Sequence, residues 1–420
     1  MPLLYDIGIR LYHTGVRLAA GFKPKARAWV EGREGLWQRL EAKHEALQGC
    51  VWMHCASVGE FEQGRPVLEA LKREKPELPI LVTFFSPSGY DACKGHPLAS
   101  HVDYLPLDTR RNAQRMVTLL RPKAVLWVRY EFWLHHLEAL RKAGVPTFLV
   151  SGIFRKSQPF FQWYGAAWRK MVLGLDHVFV QDDVSRGLLV GIGVERVSVS
   201  GDTRFDRVAE IVRASEELPI ARGFRGKGPV LACGSTWPAD EELLKEAFGS
   251  MGKTPKCIVA PHELGETGLM ATEQRFPKPL ARWSELESTT EANIADIIGQ
   301  EAEGTLLVDR MGLLARLYRY GDVAYVGGGF GEGVHSLLEP AAWGLPVIFG
   351  PRHTKFEEAR GLIACGGGFE VRDASQLRDV LQQLMEDTER LELASQRART
   401  YVTERTGATM RVLDVMKQEA

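Results

Sequence analysis

Short unbroken apolar runs alternate along this chain with stretches whose apolar residues recur every three or four positions. The runs at 51–55, 80–84, 124–128, 147–150, 177–180 and 197–199 predict strands buried on both faces. Helical spacing over 60–73, 111–120 and 133–143 falls between them. A second series starts after a stretch rich in glycine and mixed charge. It predicts strands at 230–233, 257–260, 306–308, 323–326 and 345–349, a helix over 239–248, and a charged helical tail from 376 to 420. Strand and helix in strict alternation predict an α/β fold with mostly parallel sheets. Two such series predict two doubly wound domains facing across a cleft. The expected boundaries are a basic amphipathic segment at 1–35, a first domain at 36–212, a linker at 213–228 and a second domain at 229–420.

The segment from Asp322 to Pro351 carries the densest chemical signal. A strand pattern runs straight into five glycines between Gly327 and Gly333, broken only by Phe330 and Glu332. A helix is expected from His335 or Ser336 until Gly344. Strand, glycine loop and helix N-terminus together form a device for holding phosphate through backbone N–H groups. Glu339, in the first helical turn, is placed to accept from a ribose diol. Other strand ends add candidates. Ser57, Gly59 and Glu60 stand where the first strand feeds a helix, Ser86 follows the second, and Arg129 and Glu131 follow the 124–128 strand. Glu60 either complements the helix dipole or faces a ligand, Ser86 either caps a turn or binds, and Arg129 and Glu131 either pair with each other or share a cleft with Glu60. In the second half Ser235 and Thr236, Pro261 and His262, and Met311 and Gly312 also follow strands. The hydroxyls there serve equally as helix caps or phosphate ligands.

Composition narrows the function classes. The chain has 420 residues, 45% of them hydrophobic, with 53 basic and 53 acidic side chains. A balanced charge gives no support to nucleic-acid binding. Six scattered cysteines without a C-x-x-C pair predict free thiols. Gly252-Lys253-Thr254 resembles the end of a P-loop, but Ala247 replaces its first glycine. No Asp-x-Asp pair, zinc spacing or G-x-S-x-G elbow occurs, so neither a metal nor a cofactor is expected. Near the N-terminus Leu3, Leu4, Ile7 and Leu11 recur at helical spacing among Arg10, Arg17, Lys23, Lys25, Arg27 and Arg33. This pattern suits a helix lying in an anionic membrane interface and equally one docked on its own domain.

Taken together, Ala56-Ser57-Val58-Gly59-Glu60, Glu131-Phe132-Trp133, Ser151-Gly152-Ile153-Phe154, Gly201-Asp202-Thr203-Arg204-Phe205-Asp206 and the block from His335 to Pro351 resemble the 3-deoxy-D-manno-octulosonic acid (Kdo) transferases of lipopolysaccharide assembly. The resemblance runs in order over nearly the whole chain. It implies a GT-B fold of two Rossmann-like domains, with inverting transfer of Kdo from CMP-Kdo to a lipid A precursor (lipid IVA) at the cytoplasmic face of the inner membrane. It implies Glu60 as catalytic base, and Ser57, Gly59, Ser86, Arg129 and Glu131 on the acceptor side. On the nucleotide side it implies Ser235, Thr236, Pro261, His262, Met311, Gly312, Gly333, His335, Ser336 and Glu339. The chain departs from the commoner pattern in lacking an Arg beside the His that follows Pro261, and in carrying Ser336 where many members have Asn. The alternatives are another GT-B sugar-nucleotide enzyme, a UDP-sugar transferase or an epimerase, and a non-enzymatic nucleotide sensor.

Overall fold

The computed structural model describes residues 2–226, 228–294, 297–298 and 303–419. Met1, Lys227 and Ala420, which fall in the expected first, linker and last segments, lie outside the described residues, as does the side chain of Leu3. The chain divides into two compact units. One runs to Arg207 and takes back the segment from Thr406 onward, and the other is Val208–Arg405.

The first unit holds a seven-stranded sheet of β1 (Val51–Cys55), β2 (Ile80–Phe84), β3 (His101–Tyr104), β4 (Ala124–Val128), β5 (Thr147–Gly152), β6 (His177–Val180) and β7 (Val197–Val199). All pairings are parallel, in the order β3-β2-β1-β4-β5-β6-β7. Alternate residues feed two apolar layers. Trp52, Leu81, Val125, Trp127 and Leu149 enter one, and Met53, Val82, Leu126 and Val150 the other. Both faces are covered, which is why these strands read as continuous apolar runs. Chain order reverses between β1 and β4, and the carboxyl ends of strands flanking such a reversal are where doubly wound sheets take ligands.

The second unit repeats the plan with β8 (Val230–Thr236), β9 (Lys256–Pro261), β10 (Leu280–Arg282), β11 (Thr305–Leu307), β12 (Val323–Val326), β13 (Val347–Phe349) and β14 (Gly368–Glu370). Their order is β10-β11-β9-β8-β12-β13-β14, all parallel, with the reversal between β8 and β12.

Two expected boundaries are corrected. The 213–228 stretch is not a free linker, because its helix Pro219–Arg225 buries Ile220, Ala221 and Phe224 in the second unit's core. The last helix, Ala408–Glu419, belongs to the first unit. Val412, Leu413 and Met416 form one face of it and are buried in that unit's core beside Val67, Leu68 and Phe148. Asp206 fastens its start by accepting from the Thr409 amide at 2.6 Å and the Thr409 hydroxyl at 2.8 Å. All six cysteines are free, five of them buried and Cys365 half-buried.

The N-terminal helix Pro2–Ala19 has one docked face and one exposed apolar face. One face docks on its own unit: the Tyr5 hydroxyl donates to Asp108 and Asp6 pairs with His135, each at 2.5 Å. The other leaves Leu4, Ile7, Leu11 and Leu18 exposed in one stripe, which Phe22 continues at 90% exposure. Among the described residues no helix is long and apolar enough to cross a membrane.

Candidate functional site

Glu60 enters at the first turn of the helix Val58–Glu74, directly after β1. The residue is only 7% exposed. Its Oε2 accepts from the Ala56 amide at 2.5 Å, and no donor among the described residues reaches its other oxygen. Burial pushes its pKa up to about 7; the Ala56 hydrogen bond and the Arg129 guanidinium oppose the rise, and the Glu131 carboxylate adds to it. A carboxylate poised there exchanges protons readily at neutral pH. Ser57 and Gly59 around it are exposed, so the turn itself faces solvent.

Arg129 and Glu131 reach the same place because β4 pairs with β1 in parallel register. Arg129 holds a left-handed φ of +65°, costly for a residue with a Cβ, and its buried Nε has no hydrogen-bond partner among the described residues. Glu131 accepts from Trp133 Nε1 at 2.8 Å and lies 3.5 Å from His54 Nε2. His54 is fully buried within β1, and its Nδ1 donates to the Thr83 carbonyl at 3.0 Å. Sequence reasoning passed over His54, because a histidine inside an apolar run carries no signal until the fold places it beside a carboxylate. Ser86 turns out to be a cap: its hydroxyl accepts from the Gly89 amide at 3.1 Å, while its own amide donates to the Ala56 carbonyl at 3.0 Å. The first unit therefore gathers Glu60, Arg129 and Glu131, with Ser86 bracing the turn.

In the second unit the glycine run has a different use from the expected one. A Cβ on Gly327 would stand 2.3 Å from the Ser235 carbonyl, and one on Gly329 would stand 2.6 Å from Gly350 Cα. These two glycines let backbone pack on backbone. The amides of Gly327, Gly328, Gly331, Gly333, Val334 and His335 all donate within the chain. The loop is thus largely self-satisfied and is not an open nest for an anion. Asp240 organises it: the buried carboxylate accepts from the Gly328 amide, the Trp237 amide and the Tyr325 hydroxyl, each at 2.9 Å. Asp240 is the third residue of the helix Pro238–Gly249, where an acidic side chain commonly bonds back to the cap.

The helix after the loop begins later than expected, at Leu338, and ends at Trp343. Glu339 keeps its first-turn position, and exposed Ser336 precedes the helix. Gly333 holds φ +139°. Ser235 is left-handed at φ +51°, again at a strand end. Thr236 faces inward: buried, it donates to Glu241 at 3.1 Å, which removes its hydroxyl from the candidate ligands. Pro261 ends β9 paired with Thr236, and His262 beyond it is exposed. His262 stacks on Trp237 and His335, so the ends of β8, β9 and β12 meet through these rings. Trp237 was not among the expected site residues. Met311, 80% exposed, and Gly312 stand on the turn after β11, and the structure joins neither to the ring cluster. Among the described residues no group of three His, Cys, Asp or Glu side chains could hold a metal ion.

Residues 32–207 match the family model described as 3-Deoxy-D-manno-octulosonic-acid transferase (kdotransferase). The chain is 30% identical over 391 residues to a 3-deoxy-D-manno-octulosonic acid transferase of Bordetella pertussis, covering 88% of this chain and 87% of that one. It is also 30% identical over 361 residues to the transferase of the same description from Aquifex aeolicus, covering 81% and 88%. Among solved structures it is similar to the UDP-GlcNAc 2-epimerase of Neisseria meningitidis, with a TM-score of 0.57 and 13% identity over 88% of this chain and 99% of that one. At that identity the likeness speaks for the fold alone, and the fold is of the GT-B type. Identity sustained over most of both chains goes further, and this chain belongs to the 3-deoxy-D-manno-octulosonic acid transferase family.

Proposed function

We propose that this protein moves Kdo from CMP-Kdo to a hydroxyl of a lipid A precursor, with inversion and without a divalent ion. The observation that carries the reading is Glu60, a carboxylate poised near neutrality with one oxygen unengaged, beside Arg129 and Glu131 at the sheet reversal. In the proposed reaction Glu60 takes the proton of the attacking acceptor hydroxyl, which is typically worth roughly 10²–10⁴-fold in rate. Arg129, with its unpartnered Nε, meets an anionic group of the acceptor. The departing cytidylate is received at the ends of β8, β9 and β12, where Ser336 and the first-turn amides ahead of Glu339 stand. Incubation with CMP-Kdo and a tetra-acylated lipid A precursor in the presence of a chelator, followed by mass spectrometry, should give the Kdo-extended lipid. No mass increment, with or without added divalent ions, would refute the reading. One rival on the same fold is a UDP-sugar enzyme. Calorimetry should show CMP binding far more tightly than UDP, and the reverse order would favour the rival.

Gly59 gives a sharper local check. A Cβ there would meet only Ser57 Oγ, at 3.9 Å, so the fold itself does not demand glycine. Gly59→Ala is expected to stabilise the helix start by up to about 1 kcal/mol. If the acceptor packs on this turn, the KM for the lipid should rise at the same time. An unchanged KM would remove Gly59 from the acceptor site.

The proposed location is the cytoplasmic face of the inner membrane, held peripherally. Support comes from the exposed stripe of Leu4, Ile7, Leu11, Leu18 and Phe22 with Arg10, Arg17, Lys23 and Lys25 nearby, and from exposed Trp163, Tyr164 and Trp168 elsewhere in the same unit. Leu4→Glu combined with Leu11→Glu should weaken binding to anionic vesicles about tenfold or more. Those changes leave the docked face with Tyr5 and Asp6 untouched, so the melting point should hold. Unaltered vesicle binding would remove this helix from the membrane contact.

A further inference from the structure

Trp237, His262 and His335 form a two-layer stack. The indole and the His335 ring lie nearly parallel, 12° apart with centroids separated by 6.5 Å, and meet through their nitrogen-bearing edges. Trp237 Nε1 donates to His335 Nε2 at 3.1 Å. His262 covers both, at 4.3 Å and 23° from the indole and at 4.6 Å and 25° from His335. The edge contact has only one chemical sense. An indole nitrogen donates and never accepts, so His335 Nε2 must present its lone pair, and the neutral ring carries its proton on Nδ1. Turning the ring over would set a C–H against the indole N–H. The Cδ2 edge also lies close to the glycine loop, since a Cβ on Gly328 would come within 3.1 Å of it. Burial lowers the His335 pKa and His262 lowers it further, against an opposing pull from Asp240, so the neutral form prevails at pH 7. No described residue accepts from Nδ1.

We propose that Trp237 is a positioning residue that fixes His335 as its Nδ1–H tautomer, so that the ring offers one neutral hydrogen-bond donor to an oxyanion of the sugar nucleotide, either the phosphodiester or the sugar carboxylate. The inference rests on the reading of the β8, β9 and β12 ends as the donor site. It adds the reason an indole stands there. A histidine free in water divides its proton between both nitrogens and titrates near pH 6.5. One with Nε2 occupied delivers the same donor in every molecule.

The test uses the full chain with Trp237→Phe, which keeps a stacking ring and removes the N–H. Nitrogen NMR of histidine-labelled protein should show His335 protonated on Nδ1 in the native chain and shifted toward Nε2 protonation in the variant. Donor recognition should weaken about tenfold. If the phosphodiester is the partner, the Kd for CMP alone rises, and if the sugar carboxylate is the partner, only the KM for CMP-Kdo rises. His335→Gln separates recognition from packing, because adding Trp237→Phe to it should cause no further loss. Unchanged tautomer signals in Trp237→Phe would overturn the proposal, as would a shifted tautomer with both constants within twofold of native, or fully additive losses in the double variant. Failure of CMP to perturb any of the three rings in the native protein would instead overturn the donor-site reading beneath it.

Discussion

Glu60→Gln is expected to abolish most Kdo transfer and at the same time stabilise the protein at pH 8. Turnover should fall by roughly 10²–10⁴-fold because the amide cannot take a proton, while the Kd for CMP-Kdo stays within about twofold. The gain in stability follows from the raised pKa. Burial lifts the Glu60 carboxyl from 4.5 to about 7, so between those values the folded chain binds a proton that the unfolded chain has lost. Stability therefore falls as pH rises through that window, and above pH 7 the ionised Glu60 costs about 3 kcal/mol. Gln avoids the cost and can still accept from the Ala56 amide. Melting curves should separate the two proteins at pH 8 and bring them together near pH 4. In the native enzyme kcat should rise with pH through about 7 as the base is freed, and that limb should vanish in the variant. Near-native turnover, or equal melting points at pH 8, would dismiss the assignment of Glu60 as a buried base.

Asp240→Ala should be the most damaging single change in the second unit. Asp240 is 1% exposed and accepts from the Gly328 amide, the Trp237 amide and the Tyr325 hydroxyl. Removing it strands two buried donors and the part-buried Trp237 amide; the two buried ones at about 1–3 kcal/mol each make a loss on the order of 2–6 kcal/mol. Urea titration should show that unit unfolding at a much lower midpoint, and CMP binding should fail before it does, since Gly328 and Trp237 both lose their anchor. Asp240→Asn keeps one acceptor oxygen and should lie between the two. A loss below about 1 kcal/mol in the Ala variant would mean that the loop holds itself and that Asp240 is incidental.

The interior strands were legible because burial on both faces leaves an uninterrupted apolar run, as in 51–55 and 124–128. Of the edge strands, β7 was read at 197–199, while β3, β10 and β14 escaped notice. Each has only three or four residues, and β3 carries Asp103, which is tolerated in the core because Arg39 pairs with it at 2.7 Å. At the candidate site, Glu60, Glu131 and His262 were singled out from their places after strands, and His335 through the family resemblance. The glycine run was found, but its main use was misread. Local sequence could not show that Ser235 and Gly350 press against those glycines, or that six amides of the loop stretch were already engaged. The two uses open to Thr236 could not be separated for a similar reason, since only the packing of Glu241 beneath it reveals which way its hydroxyl turns.

By itself, then, the sequence determined the alternation of strand and helix, the family, and the chemical types available at each strand end, because these depend on residue spacing within a few turns of chain. Only the tertiary structure decided that Glu60 and Glu131, far apart in the chain, share one electrostatic environment, that the last helix returns to the first unit's core, and that an indole dictates where His335 keeps its proton. Parallel pairing of β1 with β4 creates the first of these, burial of Val412, Leu413 and Met416 the second, and a single hydrogen bond across the ends of β8 and β12 the third. Desolvation and hydrogen-bond direction belong to neighbours in space, and a linear pattern does not specify those neighbours.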